Sequence, residues 1–263
     1  SYTYTLGPAG NITRVVENDG RTVDYTYDDV YRLTQENING SRVINYTYDA
    51  VGNRLTKNDN GTTTSYTYDA NDRLTTEGNI TYSYDSNGNV TSEVRPNKST
   101  LYEYYPQGWL KKITVNDAGV VNTTEYVYDP DGIRVQKTLN SSEITKYLVD
   151  KNQHFPHVLL ETSGTGGIIA SYIYGDGLIS QKRGASKFFY HYDKQMSVRI
   201  LTNSAENVTD TYIFDAFGIL LQKTGTTQNN YLFVGEQYDP NAGFYYLRAR
   251  YYCLLYTSDA ADD

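Results

Sequence analysis

The side chains of this sequence that could do chemistry are one cysteine, three histidines and many carboxylates. To act as a nucleophile, Cys253 would need a histidine or a helix N-terminus to lower its pKa, and the nearest histidine in the sequence, His191, lies far upstream. His154 and His157 flank a proline, which disrupts the helix that would align them as metal ligands. We therefore expect no catalytic cysteine, no metal site and no cofactor.

The carboxylates follow a repeated pattern. Five aspartates each come directly after two tyrosines that are separated by one residue, namely Asp28, Asp49, Asp69, Asp85 and Asp129. A catalytic carboxylate is seldom needed once per repeat, whereas an aspartate that starts a turn can accept a backbone N–H two residues further on. We interpret these aspartates as turn residues and predict that the chain is not an enzyme.

The repeated motif reads Tyr-x-Tyr-Asp-x-x-Gly-x-Arg-Leu-Thr and recurs at intervals of roughly 20 residues. Its copies are YTYDDVYRLTQE (with Tyr25 and Tyr27), YTYDAVGNRLTK (Tyr46 and Tyr48), YTYDANDRLTTE (Tyr66 and Tyr68), YSYDSNGNVTSE (Tyr82 and Tyr84) and YVYDPDGIRVQK (Tyr126 and Tyr128). A degenerate copy begins at Tyr102, and looser copies follow it.

Each copy predicts a β-hairpin. Tyr-x-Tyr places both rings on one face of a strand, the aspartate starts a turn in which Gly or Asn supplies a positive φ, and Arg-Leu-Thr begins the return strand. Asn-Gly pairs in segments such as NINGSRV mark the next reversal. A single hairpin is marginal in water, so successive hairpins should stack edge to edge into one antiparallel sheet. We expect an all-β protein with almost no helix.

Composition narrows the possible functions. The chain has 29 Tyr against 7 Phe and a net charge of -8, and its mean hydropathy is -0.62. Without a cluster of Lys and Arg to neutralise phosphates, we do not expect nucleic-acid binding. No apolar run approaches the length of a membrane-spanning helix.

The Tyr-x-Tyr-Asp-x-x-Gly-Asn-Arg-Leu motif resembles the YD repeat of the Rhs (rearrangement hotspot) family, which includes polymorphic toxins, wall-associated proteins, the C component of Tc toxins and teneurins. FYHYDKQMSVRILT, from Phe189, resembles a C-terminal segment of that family in which Gly stands in place of Met196. YLFVGEQYDPNAGFYYLRARYY then resembles the start of the Rhs-associated core, with Gly235, Tyr238, Asp239, Gly243, Tyr245, Tyr246, Arg248, Arg250, Tyr251 and Tyr252 as motif residues.

The resemblance implies a curved or spiralling sheet that forms part of a hollow shell. In toxin members the shell encloses a C-terminal effector, which an aspartyl self-cleavage site releases. We expect both the effector and the aspartates of that site to be missing from this sequence. The implied division is repeats over 1–188, C-terminal repeats and the start of the core over 189–252, and a tail over 253–263. The implied location is the surface or exterior of a bacterium.

The tail CLLYTSDAADD breaks the repeat pattern. Its sequence is the translation of a nucleotide sequence that resembles a transposon-end adapter used in sequencing libraries. We therefore expect residues 253–263 to be non-native read-through on a metagenomic fragment.

Two functions fit the sequence. The first is a shell segment that contains and presents the downstream effector, with a secretion apparatus as a further partner. The alternative is a surface protein that binds carbohydrate or mediates adhesion, in which exposed tyrosines or Trp109 stack on sugars of cell-surface glycans.

Overall fold

The structure, a computed structural model, describes residues 1–248 and 251–253. Almost every regular element in this part is a β-strand, and its one helical element is a short 3₁₀ turn, Phe233–Gly235. The predicted all-β fold of stacked antiparallel hairpins is confirmed. The chain forms two compact units, one spanning Ser1–Pro96 and the other starting at Asn97. The division at residues 189 and 253 remains a prediction.

In the first unit each strand pairs antiparallel with the strand that follows it, from β1 to β10. The strands are β1 (Tyr2–Leu6), β2 (Ile12–Glu17), β3 (Thr22–Tyr27), β4 (Leu33–Ile38), β5 (Arg42–Tyr48), β6 (Arg54–Asp59), β7 (Thr62–Tyr68), β8 (Leu74–Glu77), β9 (Ile80–Tyr84) and β10 (Val90–Arg95).

The second unit continues the same pattern from β11 to β22 and ends in a separate three-stranded sheet, β23 to β25. The strands are β11 (Lys98–Tyr104), β12 (Leu110–Asp117), β13 (Val120–Tyr128), β14 (Arg134–Leu139), β15 (Glu143–Asp150), β16 (His157–Ser163), β17 (Ile168–Tyr174), β18 (Leu178–Arg183), β19 (Ser186–Tyr192), β20 (Val198–Asn203), β21 (Val208–Phe214), β22 (Leu220–Thr224), β23 (Gln237–Asp239), β24 (Phe244–Tyr246) and β25 (Tyr251–Cys253).

The motif aspartate organises the turn between the two strands of each hairpin. The Oδ1 atom of Asp28 accepts hydrogen bonds from the backbone N–H groups of Val30 and Arg32, at 3.1 and 2.8 Å. The backbone of Asp28 bonds to Arg32 as well, and the N–H of Tyr31 donates to the Asp28 carbonyl. These bonds close a five-residue turn and satisfy backbone groups that no strand partner could reach.

The fourth residue of this turn has a left-handed backbone. Glycine supplies it in several copies, among them Gly52 (φ 107°) and Gly88 (φ 87°). The expectation that only Gly or Asn stands there is wrong for Tyr31 (φ 64°), Asp72 (φ 58°) and Met196 (φ 64°). The hydrogen bonds around the aspartate are enough to hold a strained residue, at a cost of about 1–2 kcal/mol.

Replacing such a residue by glycine should therefore stabilise the fold. We predict that Tyr31→Gly raises the free energy of unfolding by about 1 kcal/mol, because Tyr31 is exposed and glycine adopts positive φ without strain. Gly88→Ala is the matched control, since an added Cβ meets no atom within 4 Å. It should lower the free energy of unfolding by a similar amount. Urea denaturation measures both variants, and a loss of stability in Tyr31→Gly would refute the account.

Candidate functional site

The two tyrosines of each motif have different structural roles. The first tyrosine is buried in the sheet face, as Tyr46, Tyr66 and Tyr126 are. The second is half-buried and lies where the strand register shifts by one residue, for example between Thr47 and Tyr48. This irregularity is a β-bulge, which re-aims a side chain.

The hydroxyl of the second tyrosine reaches back to the preceding hairpin. The Tyr48 hydroxyl donates to the Leu33 carbonyl at 2.7 Å, and the Tyr68 hydroxyl donates to the Arg54 carbonyl at 2.9 Å. In each case the acceptor belongs to the first residue of the earlier return strand. The same bond is made by Tyr27, Tyr84, Tyr128 and Tyr192. We call this contact the tyrosine tether.

A second recurring feature is a buried glutamate directly opposite a strand tyrosine, which in three of the four pairs is the first tyrosine of a motif. The pairs are Glu36 with Tyr25, Glu77 with Tyr66, Glu93 with Tyr82, and Glu161 with Tyr147. All four glutamates are buried. The hydroxyls of Tyr66 and Tyr82 donate to the two oxygens of Glu77, at 3.3 and 3.1 Å. Burial raises the pKa of Glu77 because the charged carboxylate loses its hydration.

A densely connected site lies where the C-terminal segment, residues 231–248 and 251–253, contacts the repeat sheet of the second unit. At its centre lies Arg134 on β14, which is 2% exposed. Its Nη2 atom donates to Gln237 Oε1 at 2.6 Å. Its Nη1 atom pairs with Asp239 Oδ2 at 3.3 Å. Its guanidinium lies over the ring of Tyr246, 4.2 Å from the centroid. We call this cluster the Arg134 anchor.

Further groups complete the anchor around Asp239, which is 2% exposed. The Tyr126 hydroxyl donates to Oδ2 at 3.1 Å, and Lys137 Nζ lies 3.4 Å from Oδ1. Burial raises the pKa of Tyr126 well above its ordinary value, so this hydroxyl stays neutral and can donate. The Tyr246 hydroxyl accepts the backbone N–H of Arg134 at 2.8 Å.

Three contacts extend the docking beyond the anchor. Arg248 Nη1 bonds both carboxylate oxygens of Glu236, at 2.7 and 2.8 Å, and its Nε donates to the carbonyl of Pro156 at 3.3 Å. The Tyr252 hydroxyl donates to the carbonyl of Phe217 at 3.0 Å. A small cavity of about 30 Å³ beside Arg134 and Arg248 has room for one water molecule.

The predicted core-motif residues come together in this segment. Tyr245 and Tyr246 are buried, and the Tyr251 hydroxyl lies 3.0 Å from that of Tyr128. Tyr238 stacks near Tyr245, with ring centroids 5.1 Å apart. Gly235 (φ 71°) and Gly243 (φ 76°) occupy left-handed positions. Arg250, the side chain of Cys253 and residues 254–263 lie outside the described residues.

The histidines lie in separate surroundings. His157 stacks on Tyr174 at 4.1 Å, His154 meets Phe155 edge to face, and the His191 ring bonds the hydroxyl of Thr202 at 2.9 Å. Within residues 1–248 and 251–253, no group of three or more His, Cys, Asp and Glu side chains could hold a metal ion. No helix in the same residues is long and apolar enough to cross a membrane.

Sequence reasoning missed Arg134 as a site residue. The signal that could have found it is its distance from the motif aspartate. Arg32 stands four residues after Asp28 and bonds back to that aspartate at 2.7 Å, whereas Arg134 stands five residues after Asp129 and is buried. Arg54, which also stands five residues after its motif aspartate, is buried as well, so this spacing directs the arginine into the sheet face instead of the turn.

Comparison with known proteins identifies the family of this chain. The family description that matches the sequence is the teneurin YD-shell, over residues 9–255. The fold and its repeated Tyr-x-Tyr-Asp turn define a YD-repeat β-sheet protein, and the chain belongs to the teneurin YD-shell family.

Curated relatives include the tRNA3(Ser)-specific nuclease WapA of Bacillus spizizenii and the tRNA nuclease WapA of Bacillus subtilis. Each is 33% identical over 254 residues, which are 94% of this chain and 10% of the relative. The chain thus spans about a tenth of the length of these relatives.

Two solved structures were also found to be similar. The crystal structure of TcdB2-TccC3 without its hypervariable C-terminal region is 15% identical, with a TM-score of 0.46, and the match covers 97% of this chain and 17% of that one. The Photorhabdus luminescens Tc holotoxin pore is 15% identical, with a TM-score of 0.45, over 98% and 18% of the two chains.

The tyrosine tether predicts a specific loss of stability. Tyr48→Phe removes only the hydroxyl that bonds the Leu33 carbonyl, so the free energy of unfolding should fall by about 1 kcal/mol. Tyr31→Phe is the control, because Tyr31 lies exposed in a turn. Urea denaturation compares the two variants. Equal effects, or no effect in Tyr48→Phe, would show that the tether does not hold the hairpins together.

The burial of Glu77 leads us to predict that the free energy of unfolding depends on pH. Its pKa is raised in the folded state, so its contribution to stability is fully present below the ordinary carboxyl range and is lost as the pH rises through the raised value. Glu77→Gln should remove this loss while an amide oxygen still accepts a tyrosine hydrogen bond. Urea denaturation between about pH 4 and pH 8 measures the difference.

Asp69 provides the control of opposite sign. Hydrogen bonds from Arg73 lower its pKa, so its stabilising contribution is present above the ordinary carboxyl range and is lost as the pH falls through the lowered value. Asp69→Asn should therefore flatten the acid side of the stability profile. If Glu77→Gln and Asp69→Asn changed the profile in the same direction, the assignment of Glu77 would be wrong.

Proposed function

We propose that this chain is a non-enzymatic segment of a YD-repeat shell that encloses and presents a C-terminal toxin or effector carried further along the same polypeptide. The observation that carries the proposal is the Arg134 anchor. Its hydrogen bonds join residues separated by 103 to 117 positions in the chain, so the C-terminal segment is bound to the wall just before the point where a cargo would follow.

The physical character of the sheet supports containment. A ladder of paired backbone groups stiffened by tyrosine tethers resists local opening. The face that carries the tyrosines also carries hydroxyls and buried carboxylates rather than a continuous aliphatic surface. The hydrogen bonds between tyrosine hydroxyls and buried glutamates within this face add to the stiffness of the wall.

The relatives named as tRNA nucleases are far longer than this chain, which spans 10% of their length. The proposal therefore assigns nuclease activity in such proteins to a part outside the region matched here. It also assigns the parent protein to the surface or exterior of a bacterium, with the enclosed effector as its partner. The secretion apparatus is a further proposed partner, whereas cell-surface glycans would be the partners under the alternative adhesion role.

The experiment that tests the non-enzymatic role is expression of residues 1–252 in bacteria, with growth, total tRNA integrity and the size of the protein measured together. We expect normal growth, intact tRNA and an uncleaved chain. tRNA cleavage or self-cleavage by this chain would overturn the proposal. A glycan array probed with the same protein tests the alternative, since specific glycan binding would favour an adhesion role over containment.

The anchor itself makes a prediction. Arg134→Met leaves the buried Asp239 carboxylate without its guanidinium, and breaking a buried ion pair in this way costs about 3–5 kcal/mol. The C-terminal segment should then lose its packing around Arg134, so chymotrypsin should cut at Tyr245 and Tyr246 well before it cuts the repeat strands. Arg32→Met is the control, because the Arg32–Asp28 pair is partly exposed and its loss costs little. Equal digestion of the two variants would contradict an anchoring role.

A further inference from the structure

Two side chains of the Arg134 anchor, Lys137 and Asp239, meet a third side chain, that of Asn241. Lys137 on β14 extends toward the turn that joins β23 and β24. Its Nζ atom lies 3.3 Å from Oδ1 of Asn241 and 3.4 Å from Oδ1 of Asp239. The Asp239 side chain is 1% exposed and that of Lys137 is 15% exposed. The amine of Lys137 therefore lies within hydrogen-bond distance of both a carboxamide and a buried carboxylate, and the backbone N–H of Asn241 donates to the same Asp239 oxygen at 3.1 Å.

The charges in this cluster do not balance. Arg134 and Lys137 are two cations that share one carboxylate, that of Asp239. The guanidinium of Arg134 does not give up a proton in proteins, so Lys137 is the cation of this cluster that can serve as a nucleophile. A lysine amine without its proton is a nucleophile.

We propose that Lys137 and Asn241 join in an intramolecular isopeptide bond, with Asp239 as the proton-transfer group. Lys137 first releases one proton to solvent, which leaves Arg134 and Asp239 as a balanced ion pair. The electron pair on Nζ then attacks Cγ of Asn241 and forms a new C–N bond. Asp239 takes the second proton from Nζ and delivers it to Nδ2 of Asn241.

The step ends when the bond between Cγ and Nδ2 of Asn241 breaks and ammonia leaves. The amine and the carboxamide are thus converted to one amide and one ammonia, with no oxidant, reductant or cofactor. The product would connect β14 covalently to the C-terminal segment across 104 positions of the chain. A link of that span restricts the unfolded chain strongly, and it would make docking of the segment permanent.

Intact mass spectrometry of the purified chain tests the proposal directly. The expected mass is lower than the mass of the sequence by one ammonia, about 17 Da. A tryptic digest should contain a branched peptide in which the Lys137 and Asn241 fragments are joined. A protein that keeps the full mass after prolonged incubation at neutral pH would overturn the proposal, whatever the variants show.

Variants locate the bond. Lys137→Arg and Asn241→Ala should each have the full mass expected from their sequences, because one reactive group is missing in each. Lys146→Arg is the matched control: Lys146 lies exposed on the neighbouring strand, and this variant should keep the loss of one ammonia. A loss that persists in Lys137→Arg would assign the missing ammonia to another site and contradict the proposal.

Discussion

The hydrogen bond from a tyrosine hydroxyl to a carbonyl of the preceding hairpin is the interaction on which the repeat architecture depends. A hairpin of this size has too little apolar surface to be stable alone. Strand pairing supplies backbone bonds at its edges, but the turn ends of the hairpins have no such partners. Tyr48 and Tyr68 bridge those ends at 2.7 and 2.9 Å, and their counterparts make the same bond. A phenol both packs as a ring and donates at its tip, in keeping with a chain that has 29 Tyr and 7 Phe.

The C-terminal segment is bound by a different kind of interaction. The pairing of Arg134 with Asp239 is almost fully buried, and burying both charges costs several kcal/mol before their attraction offsets it. The hydroxyl of Tyr126, the amide of Gln237 and the ring of Tyr246 contribute the additional contacts that such a pair needs. So many directional bonds fix the C-terminal segment in one docked position. They therefore determine where the segment leaves the repeats.

Much of the local structure could be predicted from the sequence because its causes are local. The Tyr-x-Tyr strands, the aspartate turns and the Asn-Gly hairpins follow from alternation and turn chemistry within a few residues. The left-handed backbone of Tyr31 and Met196 could not, because it depends on hydrogen bonds that overrule the residue's own preference. The partnership of Arg134 with Asp239 joins residues 105 positions apart, and no local pattern determines contacts at that distance. The buried glutamates were not predicted for a related reason. A charged residue in a strand is expected to be exposed unless the residue opposite it on the neighbouring strand is known.

The central claim is that the C-terminal segment is an integral part of the wall of the second unit. Hydrogen–deuterium exchange of the unmodified protein tests it most directly, with the amides of Gln237–Asp239 and Phe244–Tyr246 compared with those of the repeat strands β13 and β14. The account predicts that these segments exchange as slowly as the repeat strands, because their amides open only when the sheet opens. Exchange as fast as that of the surface loop at 151–156 would contradict it.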